Sequence, residues 1–513
     1  MDYENRRHVL ALSRYVTENF GIPVIIGGVD ARTITCEELA ESRAAVVIKG
    51  EGELTLPKVM EGLGDEKALE GISGLLLLRD GALMDTGPEE PPLDLDALPF
   101  ADYSLSMEPI TGDSATVITS RGCPNHCAFC HEGTHKTRMR MRSIPHVMAE
   151  VRSLLARYPN LSYVCFCDDT LVANVDRVKE LCAGMKELRR TYSVDWYCEA
   201  DVYSLSRHPE IIPMMVDAGM IRMQIGIESG DDNMLALYEK PLKTDMVRRV
   251  VKAAYDAGLP SLVGPLLIGA PFENRDHIEL EIRWAKELLE MAPGMIEVPG
   301  SIISPYPQTR IGRDPGRYGY TFTDARGDGS NTDYPGYYTR AMTEKEILAG
   351  YQDLTRTVAL TCRAMLEEDR IPYERLKRIV SIYLKRGTGV WGNIMKTVCP
   401  FIFSYFQLMI SCDIPPIREI DRGELEDWHI QRTFEIWRFV DFSGYAPRIG
   451  KYVLSPYEYQ LILYCAGKLS VREITELMYE RFSGGDTPGA FRDRIMDTLL
   501  AFEKKYWVVG VPF

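Results

Sequence analysis

The stretch Arg121-Gly-Cys-Pro-Asn-His-Cys-Ala-Phe-Cys130 carries Cys123, Cys127 and Cys130 in a C-x3-C-x2-C spacing. Thiolates grouped in this way favour an iron–sulfur cluster or zinc. Three ligands on a cubane of four irons leave one iron open to another molecule. Zinc would want a fourth protein ligand and usually paired CxxC units, and His126, His131 or His135 could supply the fourth. The run sits in a polar loop rather than on a periodic apolar face, which argues against a chance cluster of core cysteines.

Directly before the loop stands the β-prone run Ala115-Thr-Val-Ile-Thr119, and after it a strand-then-helix rhythm continues to about Ile311. The strand candidates are ATVIT, SYVCFC, SVDWYC, MQIGI, LVGPLLIG and MIEVPGSII, with amphipathic helices between them. Six βα units in succession require right-handed crossovers and a curved parallel sheet, with any active site at the C-terminal ends of the strands. Upstream, His8 to about Asp80 reads as helix, strand, strand, helix, strand, a small parallel α/β unit, and Gly87 to Pro99 as a proline- and acid-rich linker. Downstream, Gly312 to Tyr338 is a Gly/Asp/Tyr-rich loop, followed by mainly helical sequence. From about Arg432 short strands alternate with three helices. The expected division is 1–86, 87–114 (linker), 115–311 (barrel), 312–431 and 432–513. The fold class is α/β: a partial (β/α)6 barrel with an N-terminal truncated Rossmann-like unit and a C-terminal winged-helix-like module.

The chain has 513 residues, 45% apolar and 26% charged, and a formal charge of −15. That is ample for a full core, and the acidity argues against nucleic acid or an anionic membrane as partner. Twelve cysteines are too few for a disulfide scaffold. The most apolar stretch, Val398 to Ile410, is too short to span a bilayer and contains Pro400, so a buried helix is expected. The N-terminus shows no secretory h-region, and a cytoplasmic location is expected.

With its three cysteines and the aromatic Phe129 before the last of them, the chain resembles the radical SAM enzymes. The resemblance implies one [4Fe-4S] cluster on Cys123, Cys127 and Cys130, with S-adenosylmethionine on the open iron and Phe129 on the adenine side. It implies further cofactor contacts at strand ends. Asp168 and Asp169 would lie near the methionine end, Glu228 and Ser229 near the ribose, and Ile268, Gly269 and Glu273 near the adenine. Each acid taken singly is equally a strand end or a helix cap.

Ile22 to Gly28, Gly50-Glu-Gly-Glu53, Leu93 to Pro99 and Arg140-Met-Arg-Ser143 resemble the cobalamin-binding subclass of that family, over about residues 10–311. The Asp-x-His-x-x-Gly loop and the strand that should carry it are missing, so cobalamin is not expected. Tyr452 to Ile474 resembles the PqqD-like element that binds leader peptides of ribosomal precursor peptides. From Arg448 onward nine basic residues face eight acidic ones, which is no basic recognition surface. Together these features resemble the proteusin-type peptide epimerases. That resemblance implies Cα hydrogen abstraction from a precursor peptide, an external one-electron reductant and hydrogen return from a cysteine outside the cluster, for which Cys362 is the candidate. Cys165 and Cys167 share one face of a strand and read as barrel interior. The alternatives are C-methylation, cross-linking or a non-peptide radical reaction.

Overall fold

The computed structural model describes residues 5–105, 112–132, 139–323, 335–387, 389–444 and 446–511. The chain divides into two compact units. One comprises Met1–Ala292 with Val298–Val358, and the other Pro293–Glu297 with Ala359–Phe513.

In the first unit, strands Ser114–Val117, Tyr163–Phe166, Asp195–Ala200, Met220–Ile225 and Ser261–Val263 lie side by side in chain order, each parallel to the next. The fifth strand breaks at Gly264-Pro265 and resumes as Leu266–Ile268, which pairs in parallel with Gly300–Ile302. A bridge between Glu228 and Leu266 joins this pair to the fourth strand. Proline has no N–H to give to a ladder, and this break and the one between strands Ile296–Glu297 and Gly300–Ile302 each fall on one, Pro265 and Pro299. The result is the curved parallel sheet of a partial barrel.

Period-two alternation decides which side chains face inward. One register row, Val117, Phe166, Cys198, Met223 and Leu262, is buried at every position. Phe166 meets Trp196 edge to face at 5.6 Å, and the Trp196 indole donates to the Ala218 carbonyl beyond the neighbouring helix, so this face packs on the helices. The alternate row, with Thr116 exposed and Cys165, Tyr197, Arg222 and Ser261 half-buried, lines the lumen. Cys165 and Cys167 therefore do share the interior face.

The N-terminal region is a four-stranded sheet of Ile25–Ile26, Val46–Ile48, Leu75–Arg79 and Ala82–Asp85. Only the first two strands are parallel; the last two pairings are antiparallel. This corrects the expectation of a parallel unit. Asp80 and Gly81 both take positive φ, which turns the chain straight back into a hairpin. Val47 and Leu76 pack with Leu39 on one face, and Val46 and Leu75 with Val59 on the other.

The second unit opens with helices Tyr373–Arg386, Val390–Val398 and Pro400–Cys412. Trp391, Ile402, Phe403, Tyr405 and Phe406 are buried, so the apolar run is core. Among the described residues no single helix is long and apolar enough to cross a membrane, and the last two of these helices meet at a 112° bend. An antiparallel sheet of Ala466–Ser470, His429–Arg432 and Val508–Val511 follows, with helices Pro456–Tyr464, Val471–Phe482 and Pro488–Glu503 closing its core around Ile430, Leu461, Ile474 and Phe491. The β-prone run from Phe434 instead holds a short helix, Ile436–Phe439, before strand Val440–Asp441. This is a winged-helix-like arrangement.

Candidate functional site

The three-cysteine loop hangs from the C-terminal end of the first barrel strand and is held on several sides. Gly122 turns the chain at φ +90°, a conformation glycine adopts without a Cβ penalty, and its N–H donates to the Asp169 carboxylate at 3.0 Å. In the middle of the loop the Ala128 N–H donates to the Tyr238 carbonyl at 2.8 Å, and the Ala128 carbonyl accepts from the Ile311 N–H at 3.2 Å. The Arg310 guanidinium bridges the His126 carbonyl and the Glu239 carboxylate. Phe129 meets the Tyr238 ring edge to face at 5.1 Å.

Cys127 is buried, and Cys123 and Cys130 are half-buried. Burial pushes the Cys127 thiol up to about 12, with the neighbouring thiols and Glu228 adding to it and Lys240 opposing. Cys123 is raised by burial and then by the charges of Cys130, Asp169 and Asp201. Among the described residues no three His, Cys, Asp or Glu side chains converge on a point that would hold one metal ion. A donor set of three thiols is one short of the four protein ligands a structural zinc takes, and it fits a cluster of four irons with one iron open. Of the zinc candidates, His131 lies 3.3 Å from Glu132, and His135 falls outside the described residues.

The acids at the strand ends divide by what they hold. Asp168 is buried and accepts from the Thr119 N–H at 2.6 Å, the Thr119 hydroxyl at 2.5 Å and the Ser120 hydroxyl at 2.7 Å. It anchors the approach to the cysteine loop. Asp169 faces the loop itself, and burial and Glu132 raise its carboxyl to about 6. Glu228, at φ +64°, pairs with Lys240 at 2.6 Å. Ser229 donates to Glu281, which also takes the Gly230 N–H at 2.8 Å. Glu273 is buried and accepts the N–H of Gly269 at 2.6 Å and of Ala270 at 3.3 Å, so it closes the turn at the end of the fifth strand. Ile268 is buried at that strand's last position.

Sequence reading missed several residues here. Tyr320 and Tyr337, on a hairpin within the supposed irregular loop, are buried and donate to the Gly269 carbonyl at 2.7 and 3.3 Å; Tyr337 also reaches the Ile303 carbonyl at 2.9 Å. On the lumen face, the Tyr197 hydroxyl donates to Glu199 at 3.2 Å. One step beyond the Phe166–Cys198 pairing, Cys167 stands opposite Glu199 and is exposed. Burial raises the Glu199 carboxyl, and burial followed by the Glu199 charge raises the Cys167 thiol, so Cys167 keeps its proton. The alternation in Asp195–Ala200 was the available signal for Tyr197 and Glu199. Cys362 is 1% exposed in the second unit, its thiol pushed by burial to about 12.

The N-terminal region meets the barrel through ion pairs. Arg121 binds Glu51 and, at 2.6 Å, Glu53; Arg140 binds Glu51; and Asp30 takes Arg6 at 2.6 Å and Gln308. Neither of the loops carrying these acids contains a histidine to offer cobalt.

Comparison with known proteins agrees with this geometry. Residues 117–285 match the radical SAM superfamily. An uncharacterized methyltransferase of Pyrococcus horikoshii is 28% identical over 311 residues, 59% of this chain and 64% of that protein. The cytidylyl-2-hydroxyethylphosphonate methyltransferase of Streptomyces wedmorensis is 28% identical over 305 residues, 52% of this chain and 55% of its own length. The chain thus spans less than two thirds of either relative. Among solved structures, the radical S-adenosylmethionine methyltransferase TsrM from Kitasatospora setae, with cobalamin and a [4Fe-4S] cluster bound, superposes with TM-score 0.56 at 13% identity, covering 79% of this chain and 86% of that one. The cobalamin-dependent S-adenosylmethionine radical enzyme OxsB covers 98% of this chain and 74% of its own at TM-score 0.55 and 14% identity. At such identities the likeness is one of fold. Residues 117–285 are thus a radical SAM domain.

Proposed function

We propose that the chain removes hydrogen from an unactivated C–H bond of a substrate held in the barrel lumen and returns hydrogen from a lumen thiol, epimerising a residue of a ribosomally made peptide. A [4Fe-4S] cluster and S-adenosylmethionine, when bound, supply the 5′-deoxyadenosyl radical for the first step. Cys123, Cys127 and Cys130 would hold that cluster, and the barrel would position the substrate beside it. The observation that carries the reading is Cys167, an exposed, protonated thiol on the lumen face at the end of the second strand. Its S–H bond breaks as the substrate C–H bond forms, leaving a thiyl radical. An external one-electron reductant and a proton from solvent restore the thiol. This moves the donor from Cys362, which is buried, to Cys167.

Support for a peptide comes from the winged-helix-like sheet, whose outer strands Ala466–Ser470 and Val508–Val511 each pair with a described strand on one side only, an arrangement suited to strand addition. A second reading, C-methylation, is favoured by the methyltransferase relatives. The N-terminal loops hold no histidine for cobalt, and no step is derived through cobalamin.

The test is anaerobic turnover of reconstituted enzyme with S-adenosylmethionine, reductant and a candidate precursor peptide in D2O. Epimerisation gives one deuterium per converted Cα and D-residues on hydrolysis, whereas a methyl mass gain refutes it. Cys167→Ala should stop D-residue formation while 5′-deoxyadenosine still forms; loss of D-residues only in Cys362→Ala would return the role to that residue.

A further inference from the structure

The segment Tyr238–Lys240 packs against the cysteine loop through the Ala128–Tyr238 hydrogen bond and the Phe129–Tyr238 ring contact. Glu239 takes φ +54°, which turns the chain so that Lys240 follows inward, its own N–H donating to the Leu235 carbonyl at 3.0 Å. The Lys240 side chain is 11% exposed and its Nζ lies 2.6 Å from Glu228 Oε1, itself on a 9% exposed side chain. The backbone beneath is bare for a reason: a Cβ on Gly226 would collide with both Lys240 Nζ and Glu228 Oε1. A buried lysine is costly unless charges face it, and those facing this one are Glu228 first, then the thiols of Cys127 and Cys130.

We propose that Lys240 is the resident counter-charge of the iron–sulfur cluster, a cation that favours its reduced state, with Glu228 holding it in place and limiting the effect. The inference rests on the three-cysteine loop carrying that cluster. Three thiolates and an added electron place negative charge beside a site that solvent screens weakly, where a fixed ammonium acts strongly. Lys240 is a positioning residue in this scheme, since its charge acts through the cluster.

Reduction potential tests this without substrate. The full-length chain is reconstituted with iron and sulfide, and the reduced-cluster signal is followed by electron paramagnetic resonance against potential. Lys240→Gln should weaken reduction about tenfold, a potential lower by about 59 mV for one electron, and Lys240→Arg should stay near wild type. Glu228→Gln should shift the potential upward, because it removes the anion that offsets the lysine. Opposite signs separate an electrostatic effect from damage to the loop, which would move both variants the same way. If Lys240→Gln fails to load, Glu228→Gln decides alone, and an unchanged or lower potential there refutes the proposal. An unchanged Lys240→Gln potential also overturns it while leaving the cluster assignment intact. A wild-type chain that shows no reduced-cluster signal overturns the assignment and the inference together.

Discussion

Replacing Asp168 with alanine probes how the barrel holds its cysteine loop. The carboxylate accepts three hydrogen bonds from Thr119 and Ser120, and all of these groups are buried. Hydrogen bonds to a charged partner contribute about 1.5–3 kcal/mol each, and losing the partner leaves the buried donors unsatisfied. The three share one carboxylate and do not add fully, so we expect a loss on the order of 4 kcal/mol. Arg177 deepens the effect, because its guanidinium donates to the Thr119 hydroxyl at 3.1 Å and to the Thr119 carbonyl at 2.8 Å with Asp168 as its first counter-charge. Asp168→Asn keeps acceptors but turns an NH2 toward donors, and should lose about half as much. Anaerobic urea unfolding of the apo-protein, followed by circular dichroism, measures the loss, and iron content after reconstitution measures the loop. If Asp168→Ala unfolds at the wild-type urea concentration and loads iron in full, Asp168 does not anchor this loop and the reasoning fails.

Three further outcomes follow from the same geometry. Burial raises Glu273 to about 8 and Glu281 to about 7 from 4.5, so the folded chain holds protons that the unfolded chain has released. Their stabilising contribution is complete below about pH 4.5 and is lost as pH rises through 7 to 8, and Glu281→Gln should make that decline shallower by about 3 kcal/mol in unfolding measured at pH 5 and pH 8. Iron loading requires thiolates and Cys127 is pushed up to about 12, so reconstitution followed by cluster absorbance should quicken from pH 7 to pH 9, and Cys127→Ala should abolish the full signal. Changing Glu51 and Glu53 together to alanine removes the partners of Arg121 and should cost about 1–2 kcal/mol, allowing for partial exposure, with cluster retention on dilution as a second readout.

The barrel was legible because each strand announces itself as a short β-prone run between amphipathic helices, and the cysteine spacing marks the end of the first. The breaks at Pro265 and Pro299 were visible as residues but not as breaks, since only the pairing of Leu266–Ile268 with Gly300–Ile302 shows that the sheet continues past them. The tasks of Asp168, Ser229 and Glu273 lay beyond sequence reading for one physical reason. Each is defined by a partner brought near by folding: a strand end 48 or 49 residues away, Glu281 52 residues on, or the amides of its own turn. The antiparallel hairpin at Asp80-Gly81 was the opposite case, a turn signal present in the sequence and read past. Tyr320 and Tyr337 escaped because an aperiodic stretch can still form a two-strand hairpin whose worth lies in two hydroxyls.

The ion pairs from Glu51 and Glu53 to Arg121 and Arg140 tie the N-terminal region to the barrel at the cysteine loop. Arg121 stands two residues before Cys123, so those carboxylates hold the chain where it enters the cysteine loop. A mutation in this region far from any iron would then surface first as oxygen sensitivity, the loop opening and shedding its metal before the fold gives way.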